Sequence, residues 1–247
     1  RNNKMIKFFR KIRQNLVAEN RFSKYFLYAT GEIILVVIGI LIALQINNWN
    51  QYRIAKNKEK VLLSELHQEF LNNKTQLDTV VSYHIKSLAS VDSIIALFPI
   101  DIKALDLEDF VERKKYSAYH WTFNPSNGVV NSLINTSSFD LISNDSLRKL
   151  LITWKEVLVD YQEEEIRSAN NLINNIIPYL GKNMPLENND RFNRKNLAFL
   201  ETWQYENQIH IRKRAIVNII GENTDELSTL KHFINEIIKF SKPKIND

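Results

Sequence analysis

Residues 31–50 read GEIILVVIGILIALQINNWN. Between Lys24 and Arg53 the only charged residue is Glu32. The run is therefore apolar around its whole circumference rather than along one stripe, and a helix of that kind needs a surround of protein or lipid. Tyr25 and Tyr28 precede it and Trp49 closes it, as aromatic rings do at the two surfaces of a bilayer. Tyr28 to Trp49 spans about 31 Å at ~1.5 Å per residue, close to the thickness of the hydrocarbon layer. A cleaved signal peptide would have a shorter core and a small-residue cleavage site, whereas LQINNWNQYR leads into another helical pattern. The expectation is a retained transmembrane helix over 25–49.

The flanks orient it. Residues 1–24 hold Arg1, Lys4, Lys7, Arg10, Lys11, Arg13, Arg21 and Lys24 against Glu19 alone. Arg53, Lys56, Lys58 and Lys60 follow the span. The basic excess places 1–24 in the cytoplasm and the rest of the chain outside it. Met5, Phe9, Ile12 and Leu16 fall on one face of the tail; either this is an interfacial helix on an anionic leaflet, or an ordinary basic flank. The tail outweighs the whole chain's net charge of +5, so the remainder is slightly acidic. That argues against nucleic acid as a partner.

At 100° per residue, Glu32, Val36, Gly39, Ala43, Asn47 and Asn50 share a band about 80° wide. Gly39 and Ala43 make a small-xxx-small pair that lets helices approach closely, and polar groups on the same stripe bond across such a contact. This band is the expected membrane packing face, for a homo-oligomer or a membrane-protein partner; Gln45 points elsewhere. Glu32 then lines its inner end. The alternatives are a carboxylate near enough to the cytoplasmic edge to reach water, or a residue lining an oligomeric ion pathway.

The stretch AENRFSKYFLYATGEIILVVIGILIALQINNWN, followed by LLSELHQEFLNNKTQLD, resembles a family of uncharacterised bacterial single-span membrane proteins known only as a domain of unknown function. The resemblance is strongest over residues 5–80, persists around NSLINTSSFDLISNDSLRKLL and fades after about residue 180. It implies the topology and a bacterial inner-membrane location, with the domain after the span periplasmic. It implies no catalytic residues.

Beyond the span, Leu62, Leu66, Phe70, Leu77, Val81, Leu88, Val91 and Ile95 keep helical steps, with Asn73 and His84 on the same face. A long helix over 50–98 is expected, continuous with the span or broken only near Asn47–Asn50, and ended at Phe98-Pro99. Its spacing fits an intermolecular coiled coil or, preferably, the first helix of a bundle, since the chain supplies further amphipathic helices over 99–247. Short helices are expected at 105–116 and after the turn NPSNG. A long one capped by Ser143 or Asn144 carries Leu147, Leu151, Trp154, Leu158 and Tyr161, then Ile166, Ala169, Ile173 and Ile176, until Pro178. Helices at about 193–220, closed by Gly221, and 224–240 complete an all-α protein.

Two charge runs, Asp160 with Glu163, Glu164 and Glu165, and His210 with Arg212, Lys213 and Arg214, would face each other across an antiparallel hairpin. A surface ion-pair ladder is the expectation, ahead of a cation site. Asn73 and His84 read as satisfied core polars rather than ligands.

The 247 residues contain no cysteine, five glycines and five prolines, so thiolate chemistry is excluded and glycine-rich phosphate loops are disfavoured. His67, His84, His120, His210 and His232 are scattered without metal spacing. No nucleophile elbow or dinucleotide fingerprint occurs. The reading is of a protein that is not an enzyme, with no cofactor and no metal. Tyr116, Tyr119, His120 and Trp121 crowd one connection; they either line a ligand pocket or cap the bundle. The leading expectation is a scaffold or accessory subunit acting by oligomer or partner assembly. The alternatives are a ligand-sensing receptor, which would need a partner to relay its signal past so short a tail, and an ion pathway through Glu32.

Overall fold

In the computed structural model, the residues described are 7, 10, 11, 14, 22–185 and 196–243, with side chains described from Phe26 onward in the span. The proposed amphipathic face of the tail and the Tyr25 ring lie outside them. The chain divides into two compact units, Arg1–Lys58 and Glu59–Asp247. Among the described residues all regular structure is helical. Among the described residues from Phe22 onward, seven α-helices carry the fold: α1 Phe22–Ile95, α2 Leu107–Lys114, α3 Gly128–Thr136, α4 Asp145–Asn171, α5 Ile177–Asn183, α6 Trp203–Ile219 and α7 Glu226–Ser241. Helix α1 passes through Asn47–Asn50 without a break.

In the first unit, every Leu, Ile and Val of residues 26–49 is exposed. Trp49 and Tyr52 lie under Arg53 and Lys56, at 5.5 and 5.7 Å from ring centroid to charge. This is one helix long and apolar enough to cross a membrane.

The second unit is a helical bundle with two apolar cores. Leu66, Phe70, Leu77 and Val81 of α1 pack with Leu147, Leu151, Trp154 and Leu158 of α4 and Leu230, Ile234 and Ile237 of α7. Farther along α1, Val91 and Ile94 pack with Phe110, Leu200, Tyr205, Ile209 and Ile216. The periodic face expected on α1 is thus used within the chain, with Leu62, Leu88 and Ile95 half-buried at its edges. Local signals set the ends. Asp106, Asn144 and Thr202 accept hydrogen bonds from the first free amides of α2, α4 and α6. Gly221 closes α6 at φ +80°, where a Cβ would be strained.

Two expectations fail in α4. Its buried stripe continues from Tyr161 through Glu165, Ser168, Leu172 and Ile176, while Ile166 and Ile173 are 56% and 58% exposed. Nor does Pro178 stop the chain's helical course. A π-turn at Leu172–Ile176 precedes α5, and Pro178 sits in the first turn of α5, where a missing N–H costs little. The helix expected from 193 begins instead at Trp203, after a 3₁₀ turn at Ala198–Glu201.

Candidate functional site

Between the two cores lies a layer of buried polar groups: His84, Ser87 and Ser90 from α1, Glu165 and Ser168 from α4, and Arg212 from α6. Ser87, Glu165 and Arg212 hold the connection from α2 to α3, whose backbone has no regular structure of its own to satisfy it. Ser87 Oγ donates to the Tyr116 carbonyl at 3.0 Å, and Ser90 Oγ donates to that of Arg113. Arg212 donates from Nε to Ser117 O at 3.0 Å, from Nη1 to Ser168 Oγ at 2.8 Å and from Nη2 to Tyr119 O at 2.5 Å. The Glu165 carboxylate accepts the Phe123 N–H at 2.9 and 3.1 Å, while Gln162 donates to the Phe123 carbonyl at 2.9 Å. Asn73 pairs with both backbone groups of Ser126 at 2.8 Å, and Glu69 accepts from Val129 N at 3.1 Å. Three helices therefore strap one connection.

The expected ion-pair ladder does not form. Arg212 turns inward to neutral acceptors, Lys213 pairs with Asp92 at 2.8 Å, and Glu164 pairs with Arg167 on its own helix. Both runs contain a residue at a buried helical step, which takes it out of the surface. Asn73 is a satisfied core polar, as expected. His84 is not: it is 0% exposed, its Nε2 stands 3.7 Å from Glu165 Oε1, and neither ring nitrogen has a hydrogen-bond partner.

His120 lies 6.0 Å from His84, ring to ring, and its nitrogens are likewise buried and unpaired. Its pKa falls to about 4, chiefly by desolvation and then by the like charges of His84 and Arg212. The Tyr161 hydroxyl has no well-formed hydrogen bond, and burial followed by the nearby Glu165 carboxylate pushes its pKa above the ordinary phenol range. Arg212, buried, is lowered to about 10 by desolvation and keeps its charge at neutral pH. Among the described residues no three His, Cys, Asp or Glu side chains gather closely enough to hold a metal ion.

The four residues expected to line a pocket separate into three environments. Trp121 stacks on Tyr83 at 4.3 Å, with Tyr119 at 5.3 Å from Trp121 and Tyr116 at 5.6 Å from Tyr119. His120 enters the polar layer instead. Only Tyr119 also borders a cavity of about 340 Å³, whose walls come from Phe110, Lys114, Lys115, Ser117, Ile176, Ile177, Leu180, Met184, Tyr205, Ile209 and Arg212. The cavity leaves no mark in the sequence because its walls come from three separate segments, within 110–119, 176–184 and 205–212. Arg212 did carry a signal, since Ile209, Arg212, Ile216 and Ile219 fall on one helical stripe.

In the span, Glu32, Val36, Ala43 and Asn47 are exposed on their stripe. A Cβ on Gly39 would meet nothing within 4 Å. Tyr28 is half-buried and Trp49 exposed at the two ends.

These features define an all-α protein in which a helix long and apolar enough to cross a membrane accompanies a bundle with a strapped connection. The chain belongs to a family of unknown function, DUF6090, which matches it over residues 32–202. The match reaches past residue 180, and it excludes the basic tail and the helices α6 and α7. Neither a curated protein nor a solved structure matches the chain.

Proposed function

We propose that this is a single-pass protein of the bacterial inner membrane, with residues 1–24 cytoplasmic and the bundle periplasmic, which works as a scaffold or accessory subunit by assembling through its span and not as an enzyme. One observation carries the reading. Residues 26–49 expose aliphatic side chains on every side, at a cost of about 25 cal/mol per Å² in water, and a bilayer removes that cost. Gly39 and Ala43 form a small-residue pair on one band of that helix, and such a pair lets a second copy of the same band approach closely. The basic excess before the span supports the orientation.

Two measurements test it. A reporter after Asp247 should be active only outside the cytoplasm, and one at residue 4 only inside; the reverse pattern defeats the orientation. Gly39→Leu should reduce crosslinked dimer in membranes far more than Gln45→Leu, because only Gly39 lies on the small-residue band. Equal losses would remove the band as the assembly face.

A further inference from the structure

The cavity beside Arg212 pairs an apolar floor with positive charge. Phe110, Ile176, Leu180, Met184 and Ile209 supply the apolar surface, and Arg212 and Lys114 bring positive charge; Lys115, also in the wall, pairs with Glu112 at 3.6 Å. Arg212 is 1% exposed, and its bonds go to two carbonyls and a hydroxyl, all neutral. Among the described residues no carboxylate pairs with it. A guanidinium has five N–H groups, and three are occupied here. A buried charge without a counter-ion is costly, and the complement is an anion. The opposite charges in the polar layer are engaged elsewhere, Glu165 with the Phe123 amide and Glu164 with Arg167.

The volume narrows the class. About 340 Å³ is at the small end of ligand cavities, enough for a single short chain and too small for a two-chain lipid. We propose that the cavity binds a single-chain amphipathic carboxylate, its tail against Ile176, Leu180 and Met184 and its carboxylate at the wall formed by Arg212 and Lys114. This is a property of the second unit alone. It holds whichever side of the membrane the bundle occupies and whether or not the span self-associates.

The test uses the full chain in lipid nanodiscs, titrated calorimetrically with octanoate and with octanol, each measured against empty nanodiscs. Octanoate should bind saturably at one per chain and at least tenfold more tightly than octanol. Lys114→Gln should weaken octanoate about tenfold while leaving octanol unchanged. Leu180→Trp, which fills the cavity from a half-buried position, should abolish binding of both, and its thermal unfolding shows whether the fold survives. Arg212 itself is avoided as the primary variant because it straps Ser117 and Tyr119. The absence of saturable octanoate binding to the wild type overturns the proposal. So does octanol binding as tightly as octanoate, or undiminished binding in a folded Leu180→Trp protein, which would put the ligand elsewhere.

Discussion

Residues 26–49 and residues 66–94 lie on the same helix, α1, yet obey different rules. In the first, every Leu, Ile and Val is exposed, and the polar residues are few, Glu32 and Asn47 on one band and Gln45 off it. In the second, a stripe from Leu66 to Ile94 is buried by α4, α6 and α7, and the exposed remainder is mostly polar, with Leu71 and Ile85 the large aliphatic exceptions. The difference lies in what the surroundings must supply. A stripe asks for partner helices, which the chain contains; an apolar circumference asks for a surround of protein or lipid. The roles of polar groups invert accordingly. In the bundle they sit within the apolar stripe and satisfy backbone, while on residues 26–49 Glu32, Gln45, Asn47 and Asn48 stand exposed.

The sharpest break of that comparison is a truncation in each region. Trp154 is 1% exposed, packs edge-on against Phe70 at 4.8 Å and donates from Nε1 to Asn127 at 2.7 Å. Trp154→Ala should destabilise the bundle by about 3–5 kcal/mol, through lost packing and an unpaired Asn127. Leu35→Ala should move the same unfolding transition by no more than about 0.5 kcal/mol. Chemical denaturation in nanodiscs, followed by tryptophan fluorescence or near-ultraviolet dichroism, measures both. A comparable loss from Leu35→Ala would mean that the span is part of the bundle's core.

What was legible follows from the same physics. The face of α1, the all-α class, the Asn144 cap and the Gly221 stop each rest on a local rule about helical steps or backbone conformation. The acidic and basic runs were misread because composition assigns a run to the surface as a block, whereas burial is decided residue by residue. Glu165 follows Leu158 and Tyr161 at helical steps, and Arg212 follows Ile209 in the same way. That stepping was available and would have placed both inside. Pro178 was misread because a π-turn changes the phase of the helix before it, and periodicity has no mark for an added residue. The cavity had no mark at all. Its walls meet only after α2, α5 and α6 have packed.

A second prediction sharpens the contrast inside the bundle. His120 is neutral when folded, with its pKa at about 4, against about 6.5 for an unfolded imidazole. Between those values the unfolded chain binds the extra proton, so stability falls as pH drops from about 6.5 to about 4 and His120 adds no further loss below that. After burial, the neighbouring His84 and Arg212 depress it further. Partial exposure reduces the effect to about 2 kcal/mol. His120→Phe should flatten this window, since phenylalanine fills the site without titrating and leaves no unpaired nitrogen. Denaturant unfolding at several pH values between 7 and 4 is the measurement. An unchanged pH slope in the variant would mean that the loss comes from other groups.

The smallest expected effect belongs to Glu32, the carboxylate within the apolar run. Polar contacts between helices in a membrane average only about 0.6 kcal/mol, because the separated helices also find partners. If the band containing Glu32 meets a second copy, Glu32→Gln keeps a hydrogen-bonding group and should leave dimerisation nearly intact, while Glu32→Leu should weaken it by an amount of that order. If Glu32 only reaches water at the membrane edge, both variants should assemble like the wild type, since leucine is comfortable at that depth. An ion pathway would separate the two measurements in a third way: Glu32→Gln would assemble normally yet lose flux, because an amide cannot carry the charge change. Assembly by crosslinking and flux in reconstituted vesicles, both on these two variants and the wild type, distinguish all three. The expected pattern is assembly by the glutamine variant, reduced assembly by the leucine variant and no flux from any. Flux through the wild type would replace the scaffold reading with the channel, and identical assembly in all three would leave Gly39 and Ala43 to form the contact by packing alone.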